Sequence, residues 1–175
     1  MSDGMTKDQL LATLRGERAR WEALLEEVGE ARLTEPGVVG SWSMKDLLAH
    51  LTAYQRPWGA RIRGELTGIP PTMRDLYDVD RFPEGAGTWT LDEQNEAIRA
   101  QYDSLPLSVV VAKWRETFDL LREGVTVLPE QDLTTPGRFA WAGDQPLAEA
   151  MPGDTYGHAQ LHAAHVRAWL DRMRA

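Results

Sequence analysis

The sequence predicts an all-α protein, a four-helix bundle with long connecting loops. Four segments carry apolar residues at the three- and four-residue spacing of a buried helix face. Two tetrads that close capping boxes stand at helix heads. No segment shows the period-two alternation of a half-buried strand. Together these call for helices packed on helices.

The first helix is expected over roughly 7–29. Thr6-Lys7-Asp8-Gln9 supplies a hydroxyl cap and a glutamine three residues on, and Leu10, Leu11, Leu14, Trp21, Leu24, Leu25 and Val28 form the apolar stripe. Pro36, Gly37 and Gly40 then break the pattern. Ser43 caps a second helix with Asp46 near its positive end, and the stripe is Leu47, Leu51, Tyr54, Trp58 and Ile62, with His50 inside it. Pro57 removes one backbone donor there and is expected to kink the helix, which ends near Gly64 and Gly68. Residues 68–89 read as a long irregular stretch, and such stretches in compact domains are functional or mobile. Thr90-Leu91-Asp92-Glu93 caps a short helix to about Tyr102. Pro106 opens a longer one through Val110, Trp114, Phe118, Leu121 and Val125 to about Leu128. A loop over 129–145 and a short turn at 146–150 lead to the last helix, about Thr155 to Arg174.

The 175 residues suit one domain spanning 1–175, and 42% hydrophobic residues suffice for a core. Nineteen basic against 27 acidic residues give a net charge of −8. A surface this acidic repels phosphate backbones and anionic membranes, so neither nucleic acid nor a membrane is expected as partner. The absence of cysteine excludes disulfides, thiolate metal sites and cysteine nucleophiles. With no basic start or apolar run of signal-peptide length at the N-terminus, a cytoplasmic location is expected.

The informative segment is DTYGHAQLHAAHVRAWL, residues 154–170, which holds three of the four histidines. At about 100° per residue, His158 and His162 lie one turn apart on one face, and His165 stays near it. Such a pair can present two imidazole nitrogens to one ion at about 2.0–2.1 Å. A third ligand must come from elsewhere, and the remaining histidine is His50, on the inward stripe of the second helix. The competing reading makes each imidazole a hydrogen-bonded core residue. Burying several without a partner for each nitrogen is costly, which favours a shared metal. Tyr54, one turn beyond His50, is the candidate proton or hydrogen-bond donor, unless it is ordinary core. Trp58, Trp89 and Trp141 are candidates for a cavity wall, the latter two because they stand on loops. Asp46 reads as a helix-start charge and Glu149 as a solvated acid. No G-x-S-x-G segment supports serine catalysis, and no pair among the acids stands out for carboxylate chemistry.

Gly40-Ser41-Trp42-Ser43-Met44-Lys45-Asp46-Leu47-Leu48-Ala49-His50-Leu51 resembles the G-x-W-S-x-K-D-x-x-x-H-L segment of the DinB/YfiT-like metal-binding four-helix bundles. Asp154 to His162, with Arg167-Ala168-Trp169-Leu170, resembles the last helix of the ClbS/DfsB-like branch. The resemblance implies His50, His158 and His162 as ligands of a divalent metal ion, zinc or nickel ahead of iron or manganese. His165 is not a standard ligand of that family, which leaves it as a proton carrier, a support for a ligand or a substitute. Ala159 and Leu161 depart from the branch, which often has an aromatic residue and an acid there. Three protein nitrogens leave a coordination position open, which favours reactivity over bracing. Relatives imply two chemistries: thiol transfer or isomerisation with a low-molecular-weight thiol, and self-resistance against a reactive genotoxic metabolite. The expectation is a metal-dependent hydrolase or thiol S-transferase acting on an electrophilic small molecule in detoxification. The alternatives are a non-catalytic bundle that sequesters a small molecule and a purely structural dimer. A homodimer is expected from the way such bundles pair.

Overall fold

The computed structural model describes residues 5–175. Eight α-helices occur in chain order: α1 (Lys7–Val28), α2 (Met44–Thr67), α3 (Met73–Tyr77), α4 (Leu91–Asp103), α5 (Leu107–Val127), α6 (Glu130–Thr134), α7 (Leu147–Ala150) and α8 (Tyr156–Arg174). Short 3-10 turns fall at Glu30–Arg32, Ala86–Thr88 and Ala140–Ala142. Among the described residues there is no strand, and one isolated bridge pairs Val39 with Trp42. No described helix is long and apolar enough to cross a membrane.

The long helices α1, α2, α5 and α8 make the bundle. Thr6 and Gln9 exchange hydrogen bonds at the head of α1, and Thr90 and Glu93 do so at α4, as the tetrads require. Ser43 and Asp46 form a third such box on α2, and Asp46 also faces Arg99 at 3.4 Å. The predicted stripes of α1 and α5 are buried throughout, and on α2 only Tyr54 is left half-buried. α2 runs on through Pro57 to Gly68, a turn beyond Gly64.

The direction of each helix follows from its cross-contacts. On α1, Lys7 reaches the carbonyls of Thr126 and Leu128 while Glu22 binds Arg115, so α1 and α5 are antiparallel. Glu17 meets Gln160 and Glu27 meets Arg167, so α1 and α8 run parallel. His50 lies against His162 while Trp58 bonds Asp154, so α2 and α8 are antiparallel. Gly59 faces Leu120 and Leu121, and Ile62 faces Gly124, so α2 and α5 are parallel neighbours. These two also share the largest contact of the bundle, whereas α2 and α8 share the smallest of its four sides.

Parallel neighbours explain the long middle connection. A 24-residue helix is about 36 Å long at 1.5 Å per residue, and the chain must return that distance before α5 starts. The stretch read as irregular is this crossover. It is more ordered than expected, because Thr72 and Asp75 close a capping box that starts α3, and both α3 and α4 pack on α2. Likewise the expected loop at 129–145 holds α6 and a 3-10 turn, and the turn at 146–150 is α7. On α8 the inward stripe continues through Trp169, and Met173 is exposed.

A candidate metal centre and its cavity

Two helix faces bring the histidines together. His50 projects from α2, and His158 and His162 project from α8 across the sparsely packed side of the bundle. His158 Nε2 lies 2.9 Å from His50 Nε2 and 3.1 Å from His162 Nε2. One nitrogen from each ring falls within 4.8 Å of the others. Tetrahedral zinc with its usual bonds would space such nitrogens about 3.3 Å apart, so the donor set has the right type and nearly the right span.

The protonation states agree with that donor set. Burial pushes the His50 imidazolium down to about 3, helped by repulsion from His158 and His162. Burial and then His158 and His165 push His162 down to about 4. Burial also lowers His158, against the pull of Asp154 upward. Neutral imidazoles are the form that offers a lone pair to a metal. The three Nε2 atoms meet one another, so lone pairs face lone pairs unless a proton or a cation stands between them. Nδ1 of His50 and of His158 is buried with no hydrogen-bond partner and lies outside that meeting point. A cation shared by the three Nε2 atoms fits the residues present.

His165 stands outside the trio. Its Nδ1 is 3.4 Å from His162 Nδ1, on the far side of that ring from His158, and it is half-buried. Trp42 packs edge-on against His50 with centroids 5.2 Å apart, and its indole reaches Glu96. Tyr54 sits 4.7 Å from the His50 ring and 4.9 Å from the His158 ring. Its hydroxyl donates to Asn95 of α4 at 3.2 Å, and burial followed by the Asp154 charge raises its pKa. Tyr54 therefore stays a hydrogen-bond donor at neutral pH.

Beside the histidines opens a cavity of about 620 Å³, walled by α2, the crossover and α4. Tyr54, Trp58 and Trp89 line it, and so does Asp154 at the start of α8. Trp141 does not: it packs edge-on against Trp58 with centroids 5.7 Å apart and donates to Glu65. Of the two loop tryptophans, then, only Trp89 belongs to the wall. Asp154 had no assigned role in the sequence reading, yet it accepts from the Trp58 indole at 3.1 Å and faces both cavity and His158. The available signal was its place one turn before His158. Glu149 is exposed, as expected of a solvated acid.

A helical bundle with a histidine trio, two of its rings buried and one half-buried, next to a solvent-reachable cavity is the class defined so far. A profile of the DinB superfamily matches residues 13–170, and the chain belongs to that superfamily. No curated protein matches the sequence. Among solved structures, DfsB, described as a sibling lethal factor precursor, is similar at 18% identity with TM-score 0.75, covering 98% of this chain and 99% of its own. The colibactin self-resistance protein ClbS, in complex with dsDNA, is similar at 14% identity with TM-score 0.71, covering 95% and 96%. A protein from Streptococcus pneumoniae is similar at 14% identity with TM-score 0.70, covering 95% and 91%. Identities this low speak for the fold.

The net charge of −8 predicts no nucleic-acid partner, and that exclusion does not hold: a bundle of this fold, ClbS, is seen bound to dsDNA. A whole-chain sum is not a local field. Phosphates meet the cations of one face, and a total of −8 does not say how charge is distributed over the faces.

Proposed function

We propose that this protein is a metal-dependent enzyme acting on an electrophilic small molecule, by hydrolysis or by transfer to a low-molecular-weight thiol, in detoxification or self-resistance. The observation that carries the reading is the convergence of three neutral imidazole nitrogens beside a cavity large enough for a substrate. Membership in the DinB superfamily and likeness to a self-resistance protein support it.

His50, His158 and His162 would hold the ion, and a divalent cation there supplies Lewis acidity that makes water or a thiol nucleophilic near neutral pH. With Nε2 of His162 turned to the trio, its Nδ1–H is free to donate to His165 Nδ1, which fixes ring and tautomer. Tyr54 offers a hydroxyl proton at the boundary between histidines and cavity. A substrate seated against the aromatic walls would displace water from the reacting face, which strengthens each polar contact made there.

The test is metal analysis of protein purified without a nickel column, then zinc titration of wild type and His162→Ala. Stoichiometric binding lost in the variant is expected. Metal-free protein in which neither zinc nor nickel changes the melting temperature would sink the reading. A second reading, sequestration without turnover, draws on the cavity itself, whose walls are built by α2, α4 and the crossover and need no ion. Consumption of an electrophile beyond one equivalent per chain separates catalysis from capture.

A further inference from the structure

The cavity wall carries charge that the fold does not use. Arg61 and Arg81 both line it, and among the described residues neither forms an ion pair with a carboxylate. Arg18, Arg63, Arg74, Arg99 and Arg115 all do. Arg15, Arg56 and Arg172 also lack a carboxylate partner among the described residues, but of these five only Arg61 and Arg81 line the cavity, where their charge is available to a ligand.

Arg61 is held in place. Its Nη2 donates to the Tyr77 hydroxyl at 3.4 Å, and its guanidinium carbon lies 5.7 Å from the Trp141 ring centroid. These contacts leave other N–H groups free while restricting the side chain, which lowers the entropic cost of gripping an anion. The wall also carries one carboxylate: Asp154, one turn before His158, with one oxygen taken by Trp58. Arg61 stands seven residues beyond Tyr54 on α2, about 10 Å along the helix axis at 1.5 Å per residue. The wall also offers aromatic surface from Trp58, Trp89 and Phe82, the last with 49% of its surface exposed.

We infer that the cavity binds a small aromatic acid, with its planar body against Trp58, Trp89 and Phe82 and its anionic group on Arg61, assisted by Arg81. The opposite end of the ligand, next to Tyr54 and the histidines, would be its uncharged and reactive end, since the Asp154 carboxylate repels an anionic group there. This orientation rests on the proposed function; the binding itself does not, since no recognising group is a histidine.

The experiment compares 2-naphthoate with its neutral analogue 2-naphthylmethanol, titrated into the metal-free full chain by calorimetry. Naphthoate is expected to bind about tenfold tighter or more, the effect of a charge-assisted bidentate contact. Arg61→Gln should abolish the preference while leaving affinity for the alcohol within about twofold, Arg81→Gln should reduce it partly, and Arg61→Lys should retain part of it. Equal affinities in wild type, no saturable naphthoate binding, or a preference that survives Arg61→Gln overturns the inference. Melting curves identify any variant that fails to fold, in which case the Arg81→Gln and Arg61→Lys comparisons decide by the same criterion. Zinc titration of the same proteins reads the metal centre separately. Lost zinc binding with intact naphthoate preference removes the enzyme reading alone, and the converse removes only the aromatic acid.

Discussion

Within the histidine cluster, each side chain has a distinct task that substitution can separate. His162 is the one member of the trio whose second nitrogen meets another side chain, His165 at 3.4 Å. Removing the support of a ligand typically costs about 10–100-fold in metal affinity. His165→Ala should therefore weaken zinc binding by about that factor without abolishing it, and His165→Asn, which keeps an acceptor, should recover part of the loss. Calorimetry with zinc reads both, whereas a merely structural role would lower the melting temperature and leave zinc affinity alone. Tyr54 is different, since it is a donor and not a ligand. Tyr54→Phe should leave zinc affinity unchanged and lower kcat by about 100-fold or more, the usual contribution of a positioned proton donor, with KM little changed. A variant that turns over an electrophile at the wild-type rate removes that role.

At the level of helices, α2 and α5 pack closely because glycine allows it. A Cβ on Gly124 would lie 2.7 Å from Ile62 Cγ2, and one on Gly59 would meet Leu120 at 2.9 Å. Alanine is the better helix former by about 1 kcal/mol, so an exposed glycine would gain from the change. Here the clash outweighs it, and Gly124→Ala should destabilise by about 1–3 kcal/mol in urea unfolding, while Gly16→Ala, open in space, should stabilise. The cap of α3 gives a pH signature. Hydrogen bonds from the Thr72 hydroxyl and backbone, then Arg63, hold the Asp75 carboxyl down to about 2 from its ordinary 3.8. A depressed carboxylate stabilises the fold above its unfolded value, and that contribution disappears as pH falls through the folded one. The stability difference between wild type and Asp75→Asn should accordingly shrink between about 4 and about 2, and a carbon-detected titration of Asp75 should find its midpoint near the lower figure. A midpoint at the ordinary value would show that the box does not form.

Across the whole molecule, the bundle is uneven. Its α2–α8 side has the least packing, and that side is bridged by the histidines. A ligand that binds only the folded state stabilises it by about 2.7 kcal/mol at a hundredfold excess over Kd. Zinc should raise the melting temperature, chelation should reverse the rise, and His158→Ala should remove it. A zinc-independent melting curve in wild type would mean that the ion does not tie this side together.

Much of this was legible along the chain because it is local. Caps at Thr6, Ser43 and Thr90 act within four residues, and the apolar stripes of α1 and α5 repeat within two turns. Thr72 and Asp75 obey the same rule, yet α3 was missed because neighbouring prolines and glycines made the segment read as loop. Trp141 and Asp154 lie beyond the reach of such rules: no periodicity reports which loop tryptophan faces a cavity, or that an acid just before α8 meets an indole on α2.

By itself the sequence determined the four long helices of the bundle and set His50, His158 and His162 on the stripes of two of them, since hydrophobic periodicity and capping are short-range effects. Only the tertiary structure decided that α2 and α5 run parallel, that 108 positions of separation close to 2.9 Å between His50 and His158, and that two guanidiniums overlook the same cavity. Those facts depend on how helices register through space, where packing of whole faces, not the order of neighbours, sets which side chains meet.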